Sequence, residues 1–511
     1  MILDNQNFAA LVDATCVRQA TRPALFHGGR AISYGELGAL VRGWTASLRA
    51  HGAGPGVRVG LWLPNSPEFV AAFLATLRTG AVAAPLGVLL APPEVRARLA
   101  IAAADVLVTT RVLAQHLGDL GNIRVLSVEA VAAETDGGAP SSARPAPPAV
   151  RAADDVAVLV STSGTTGKAK AAELTHQGIA WNAAMLAAGL ALGPGDVQLA
   201  VAPLSHVLGM SGVMNASLLS GAALALMERF DAPAALALMT ATTTTGVIGA
   251  PPMFAALLRE ARLVGRAPRL RFGMAGGAAL PNELISGFEE TFGCVVSDGY
   301  GMSEVGGGIT LTPVSTRPRP HSVGPALPGS ELRVVDLATG APLAAGDRGE
   351  IAVRSPSVMR RYRGDEEGTR TVLDAEGWLL TGDIGYLDGD GHLFLVDRKK
   401  EVIIRSGYNV YPREVEEVLL SHPGVLEAAV LGVADDKHGE EVVALVVPAP
   451  DSGLDPEAVK QFARERLAAY KYPRRIFIVD MLPKGPTGKI AKGHIDRAIF
   501  DAPADDPVRQ R

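Results

Sequence analysis

The sequence predicts an α/β fold: a large N-terminal domain of α/β subdomains with a β-rich subdomain, followed by a small α+β C-terminal domain. Two observations predict the first part. Apolar runs of strand length alternate with segments whose apolar residues recur at helical spacing, the order expected of parallel strands joined by crossover helices. From Gly324 that alternation gives way to strand-like runs separated by Gly and Asp turns. A third observation predicts the last part. After Asp397, two strand-like and two helical runs alternate over about 110 residues, enough for a separate domain. The boundaries are therefore placed at 1–397 and 398–511.

The elements follow in order. ISYGELGALVRGWTASLRAHG (32–52) has helical spacing, and VRVGLWLP (57–64) is a short β-rich run ended by Pro64. EFVAAFLATLRTG (68–80) reads as the next helix, and ADVLVTT (104–110) and IRVLSV (123–128) as further strands. Between Ala132 and Asp155 the composition shifts to Pro, Ser, Gly and Ala without apolar periodicity, which predicts a surface loop or linker. VAVLVS then reads as a buried strand that runs into a small-residue loop and a helix beginning near Thr175. Strands are expected at VQLAVAP (197–203), GVIGA (246–250), LRFGMAGG (270–277) and CVVSDGYG (294–301), each with a polar loop or turn at its C-terminal end, where open α/β sheets gather ligands. ELRVVD, GEIAVRS and HLFLVD supply the β-rich part. The C-terminal segment has strands at EAAVLGVA and EVVALVVP and helices at REVEEVLLS and PEAVKQFARERLAAY.

Composition removes several classes of function. Among 511 residues, 48 Lys+Arg face 53 Asp+Glu for a formal net charge of -5, so no basic surplus points to nucleic acid or an anionic membrane. The most apolar stretch, Val70–Leu90, is cut by Arg78, Thr79 and Pro85, short of the roughly 20 apolar residues a span needs. Two cysteines, Cys16 and Cys294, supply neither a disulfide framework nor a CxxC metal cage. With no basic, apolar leader at MILDNQNFAA, the expected compartment is the cytoplasm. The oligomeric state stays open between monomer and homodimer.

The informative segment is STSGTTGKAK (161–170), which places two glycines, five hydroxyl side chains and two lysines directly after a strand. Glycines let the backbone approach an anion, hydroxyl and amide groups donate to phosphate oxygens, and lysines neutralise charge. A plain polar turn has the same composition. A Walker loop fails, because Thr162 stands where its first Gly is needed and Ala169 where Ser or Thr must follow the Lys. No G-x-S-x-G serine-hydrolase elbow is found at a strand-to-helix turn.

STSGTTGKAKAAELTH resembles the phosphate-binding motif of the adenylate-forming superfamily, which includes acyl-CoA synthetases, 4-coumarate-CoA ligases, luciferases and peptide-synthetase adenylation domains. Further similar motifs follow in the family's order: APLSHVLGM (202–210), MAGGAAL (274–280), DGYGMSE (298–304), GWLLTGDIGYLDGDG (377–391), VDRKKEVIIRSGYNVYPREVE (396–416) and LPKGPTGKI (482–490). With ISYGEL and LPNSPEFVAAFLATLRTGAVAAPL near the N-terminus, the likeness covers nearly the whole chain. Ala169 and Ala171 depart from a usual Pro and Gly, and Ser205 from a common Phe, but no donor side chain is lost.

The resemblance implies two half-reactions. A carboxylate attacks the α-phosphate of Mg-ATP to give acyl-adenylate and pyrophosphate, and the thiol of CoA then displaces AMP. ATP would be held by Thr162, Ser163, Gly164, Thr165, Thr166, Gly167, Lys168 and Lys170, with Gly276, Gly277 and Ala278, and by Asp298, Gly299, Tyr300, Gly301 and Ser303, the Tyr300 ring stacking on adenine. Asp383 and Arg398 would take the ribose hydroxyls. Glu304 and Thr162 would hold Mg²⁺, a hard ion suited to oxygen ligands. Lys489 would act on the reacting carboxylate and α-phosphate, and His206 would sit at the mouth of the acyl pocket. The C-terminal domain would be mobile, pivoting near Lys400, with Gly407 brought to line a pantetheine tunnel.

Each assignment has an ordinary alternative: a solvated lysine, a helix-capping glutamate, a core tyrosine, an Asp-Gly turn, a structural histidine or a turn glycine. Substrate choice is less legible. Gly299 before Tyr300 resembles the fatty- and aryl-acid branches, whereas malonate-using relatives tend to carry a basic residue there and acetate-using ones a nearby Trp. The apolar, small-residue segments predict a monocarboxylic acid with an apolar tail or ring. Loading of a carrier-protein phosphopantetheine, or a silent acyl or nucleotide sensor, are the alternatives; Lys489 and Glu304 are both present, against the latter.

Overall fold

The computed structural model describes residues 7–134, 146–162, 169–276, 282–406, 408–435, 437–450, 452–484 and 490–500, and the backbone of 135–136. The chain divides into two compact units, 1–332 with 353–379, and 333–352 with 380–511.

The first unit contains two sheets with parallel interiors. One has six strands in the spatial order Arg124–Ser127, Val106–Thr109, Arg58–Trp62, Val82–Leu86, Val156–Thr162 and Lys170–Thr175, all parallel except the last. The other has eight, in the order Gly307–Leu311, Val295–Met302, Phe272–Gly276, Gly246–Gly249, Val197–Ala200, Ala223–Leu226, Pro23–His27 and Arg30–Ser33, with antiparallel pairs only at its two edges. Its central strands are wholly buried, which is why they read as unbroken apolar runs. Beside this sheet Phe288 stacks on Phe292, ring centroids 4.2 Å apart, and Phe254 tilts against Phe288 at 4.8 Å.

Local sequence explains the helices. Tyr34–Ala50 begins at Ser33 and Glu36, which cap each other's backbone N–H groups reciprocally. Pro67–Thr79 begins at the Ser66 cap and stops at Gly80, whose φ of 84° is the left-handed conformation glycine adopts freely. That helix is buried all round, which accounts for the most apolar stretch of the chain. Its Arg78 is satisfied by Asp13 at 3.0 Å and the carbonyl of Ala146 at 2.8 Å. No helix among the described residues is long and apolar enough to cross a membrane.

The second unit holds most of a four-stranded sheet, ordered Glu331–Val335, Gly349–Arg354, Leu379–Leu387 and Leu393–Arg398. Its other sheet has five strands. Tyr408–Val410, Ile403–Arg405, Gly439–Pro448 and Val425–Asp435 lie in that order, and Arg475–Ile478 also pairs with Gly439–Pro448. The helices Pro412–Leu420 and Pro456–Arg466 pack on the core around Val430, Val442 and Val459.

Three sequence expectations need correction. The segment expected to be linker from Ala132 is helical as far as Asp136, continuing the helix from Val128. The last helix stops at Arg466, four residues short of Tyr470, because Leu467 turns to extended backbone. Most consequentially, the phosphate loop does not pass straight to a helix. Lys170–Thr175 first forms an edge strand that buries Ala171, Ala172 and Leu174, and the helix His176–Gly189 follows, capped by Thr175.

His176, at that helix start, is fully buried, and its Nδ1 accepts the N–H of Phe8 at 3.2 Å. Burial pushes its pKa down to about 4. The folded ring is therefore neutral, whereas an unfolded chain takes up a proton near the ordinary value of about 6.5. The neutral ring's contribution is complete above pH ~6.5 and is lost as pH falls towards 4, about 3 kcal/mol in all. Urea unfolding between pH 7 and 4 is expected to show that loss, and His176→Gln to show a shallower one. Parallel pH profiles would exclude this histidine.

Candidate active site

The candidate phosphate-binding segment joins two neighbouring strand ends, for Thr162 and Lys170 are paired in the antiparallel register. Ser163, Gly164, Thr165, Thr166, Gly167 and Lys168 lie outside the described residues. On the far side of Lys170–Thr175, the segment 360–363 zips onto it through Arg360 N–H to Glu173 O (2.8 Å), Glu173 N–H to Arg361 O (2.9 Å) and Arg363 N–H to Ala171 O (2.8 Å).

That zip brings Tyr362 to Glu304. The strand Val295–Met302 ends in a tight 3₁₀ turn, Ser303–Val305, which packs against both strands flanking the loop. Glu304 is only 9% exposed. Its Oε1 accepts the Tyr362 hydroxyl at 2.8 Å, and its carbonyl accepts Met359 N–H at 2.7 Å. Burial, reinforced by the negative charge of Glu304, pushes the Tyr362 phenol far above its ordinary value, so it remains a donor. Lys170 lies 4.5 Å over the Tyr362 ring and 2.8 Å from Asp365. Asp365 is held below the usual carboxylate range by Lys170 and the N–H of Gly368. Four side chains thus form one line: Asp365, Lys170, Tyr362, Glu304.

The residues fit Mg²⁺. Among the described residues none donates a hydrogen bond to the second oxygen of Glu304, and Thr162 ends a strand against which the Glu304 turn packs. Among the described residues no group of three or more His, Cys, Asp or Glu is arranged to cage a metal.

The glycine-rich strands lie beside this corner. Gly276 and Gly299 are register partners on adjacent parallel strands, so their missing side chains would project from the same face. A Cβ on Gly276 would stand 2.8 Å from Leu208, one on Gly299 2.4 Å from Met274, and one on Gly301 would strike the carbonyl of Gly307 at 2.0 Å. Asp298, Gly299, Tyr300 and Gly301 follow one another on Val295–Met302, ahead of Ser303. Tyr300 is buried, at 8% exposure. Gly277 and Ala278 lie outside the described residues.

His206 is exposed, and its Nδ1 is 3.3 Å from the N–H of Leu208. It immediately precedes a wide π-helical stretch, Leu208–Asn215, a form found often at functional sites. Gly209 is required there, because a Cβ would lie 2.2 Å from the carbonyl of Pro203. Leu208 is the residue that meets Gly276, so the His206 segment and the glycine strands share one surface.

In the second unit, Asp383 and Arg398 are direct partners across the hairpin of Leu379–Leu387 and Leu393–Arg398, with Nε 3.4 Å from Oδ1. Asp383 is therefore a strand residue and not part of an Asp-Gly turn. Beside it, Glu350 is buried, accepts the N–H of Gly382 at 3.2 Å and pairs with Lys399 at 2.7 Å. Lys400 is exposed in the 3₁₀ turn Lys399–Glu401. Lys492 lies 2.7 Å from Glu416 and 3.1 Å from Glu401, tying the short 3₁₀ turn Lys492–His494 to that turn. Burial pushes Glu416 up, with Lys492 opposing; burial also works to lower Lys492, but Glu416 and Glu401 carry it above an ordinary lysine. Gly407 and Lys489 lie outside the described residues, although Ile490 bridges Lys484.

Sequence reasoning missed Tyr362, Asp365, Glu350 and Lys492. Tyr362 and Asp365 sit in RRYRGDEEGT, a run that reads as an ordinary charged surface until its partner 58 residues away is known.

Glu304, held by Tyr362, thus packs beside the two strand ends that the glycine- and hydroxyl-rich segment joins, next to strands that carry Gly276, Gly299 and Gly301. The chain belongs to the AMP-binding enzyme family, whose model matches residues 12–363, while the AMP-binding enzyme C-terminal domain matches residues 414–489. It is 37% identical to a feruloyl-CoA synthase from Amycolatopsis sp over 93% of this chain and 95% of that one. It is similar to ATP-bound MatB from Rhodopseudomonas palustris (TM-score 0.88, 31% identity, 96% and 98% of the two chains). It also resembles o-succinylbenzoate CoA synthetase from Bacillus subtilis in complex with ATP and magnesium ion (TM-score 0.84, 29% identity, 95% and 99%). The protein is an AMP-forming acid–thiol ligase: it activates a carboxylic acid with Mg-ATP to acyl-AMP and passes the acyl group to CoA.

Proposed function

We propose that the acid is an aromatic monocarboxylate. The carrying observation is the apolar cluster of Gly276, Gly299, Met274 and Leu208, in which a Cβ on either glycine would meet Leu208 or Met274, beside the strand that leads to Glu304. A ring suits an apolar cluster of this kind, and none of the side chains named in it is a cation for a second carboxylate. The feruloyl-CoA synthase likeness supports an aryl acid over a fatty one. Pyrophosphate release over a panel of acids, with and without CoA, tests the reading. Hydroxycinnamates and benzoates are expected to exceed fatty acids of equal length, and malonate to give background. A clear preference for fatty acids or malonate would overturn it.

In this reading Lys170 and the loop hold the nucleotide phosphates, Tyr300 covers adenine, and Asp383 with Arg398 takes the ribose. His206 closes the acyl side. Lys489 neutralises charge between the acid and the α-phosphate. Mg²⁺, when bound, neutralises the phosphate oxygens. Tyr362 donates to one oxygen of the Glu304 carboxylate and would leave the other to hold the ion. Residues 398–511 form the moving domain, with Lys400 at the pivot and Gly407 beside the CoA arm. A cytoplasmic location fits the two free cysteines, whose thiols burial pushes up to about 11 (Cys16) and about 12 (Cys294).

Glu304→Gln keeps the shape and removes the charge. It is expected to raise the Mg²⁺ concentration for half-maximal pyrophosphate release by about tenfold. Tyr362→Phe leaves that charge in place but frees its rotamer, and the expected rise is about threefold. Mn²⁺ binding followed by electron paramagnetic resonance reads the site without turnover. An unaltered metal dependence in both variants would place the ion elsewhere.

A further inference from the structure

A cavity of about 220 Å³ lies at the end of the six-stranded sheet opposite the phosphate loop, where Arg58, Val82 and Val156 begin their strands. Four arginines line it, Arg58, Arg360, Arg361 and Arg363, together with one buried glutamate, Glu173. The charges do not balance. Arg58 is matched by Asp105, which takes its backbone N–H at 2.9 Å and its side chain at 2.9–3.1 Å. Glu173 is shared between Arg361 at 3.0 Å and Arg363 at 3.7 Å. Arg360 has no ion-pair partner among the described residues. Three cations against one anion leave a surplus of two positive charges around a small polar cavity.

The arrangement is built in. The same backbone zip that delivers Tyr362 to Glu304 fixes Arg360, Arg361 and Arg363 beside Glu173, so the cations are held by strand register. Planar guanidinium groups converging on one space match the oxygens of a phosphate. We propose that this cavity binds a compact dianion of the phosphate type, at a site separate from the nucleotide corner. Glu173 pairs with Leu159, three residues along the strand from Thr162, and that odd spacing places the two on opposite faces of the sheet. Tyr362 lies between Arg361 and Arg363, so occupancy of the cavity bears on the residue that holds Glu304. That consequence, unlike the site itself, rests on the metal role given to Glu304.

The ligand's chemistry has two sources, free phosphate and the pyrophosphate released in adenylation, and calorimetry separates them. The full-length protein is first saturated with Mg²⁺ and α,β-methylene-ATP to fill the nucleotide corner, then titrated with inorganic phosphate or with pyrophosphate. One further site is expected, weakening as salt is raised. Arg360→Gln and Arg363→Gln are each expected to loosen it about tenfold, while the affinity for the ATP analogue, which also certifies folding, stays within about twofold. Tighter pyrophosphate binding names the product as ligand; equal or tighter phosphate binding names the free anion. No heat from either anion, or binding unchanged in both variants, overturns the site. An altered Mg²⁺ requirement on titration would add the coupling, whose failure leaves the site standing and removes only the link to Glu304.

Discussion

Replacing Lys489 with alanine is expected to lower single-turnover adenylate formation by about 10²–10³-fold, the scale on which removal of one charged donor from a developing anion is felt. Attack of a carboxylate on an α-phosphate brings two anionic groups together. At about 4 Å a single cation gains about 1 kcal/mol against each in water and about 4 kcal/mol in a partly dry site. The second half-reaction presents a different problem, because the acyl group is already joined to AMP and the attacking group is a thiol. Thioester formation from supplied acyl-adenylate should therefore stay within a few-fold of the parent. Rapid-quench measurement of each half-reaction checks this. Equal losses in both, or a small loss in the first, would mean the lysine has another role. Lys492, three residues on and buried against Glu416 and Glu401, must stay intact in the comparison, since its loss would disturb the same segment by another route.

The second large effect is expected from Lys400→Pro. Proline fixes φ near −65° and denies the backbone the torsional change that a swing of residues 398–511 demands. The position lies in a short 3₁₀ turn and its side chain is exposed, so the substitution acts through the backbone and removes little packing. Adenylation should proceed at near-normal rate while acyl transfer to CoA falls by about 10²-fold or more. Gly407→Leu gives the complementary result by obstructing the thin arm of CoA. Raising CoA should partly restore Gly407→Leu and leave Lys400→Pro unchanged. Normal transfer in both variants would falsify the two-pose mechanism at these residues. The pivot need not coincide with the boundary between the compact units near Leu380: contacts define the units, whereas a pivot is defined by where torsion changes.

How much of this was legible beforehand depended on where each residue's partner lies in the sequence. The fold class, the strands at Val197–Ala200, Gly246–Gly249, Phe272–Gly276 and Val295–Met302, and the capped helix Tyr34–Ala50 are local matters of periodicity and end signals, and the sequence alone determined them. It also narrowed the chemistry on offer: a glycine and hydroxyl segment with lysines after a buried strand suits a phosphate cradle or a plain polar turn, and the resemblance of the ordered motifs favoured the first. The edge strand Lys170–Thr175 was not legible, since its pairing depends on a free edge and on segment 360–363, far along the chain. Neither was the placement of Asp383 opposite Arg398, the hold of Tyr362 on Glu304, or the gathering of arginines about Glu173. Each is set by strand register, in which a slip of one residue turns every side chain to the other face. Register is chosen by burial summed over whole sheets, so only the tertiary structure decided which charges meet.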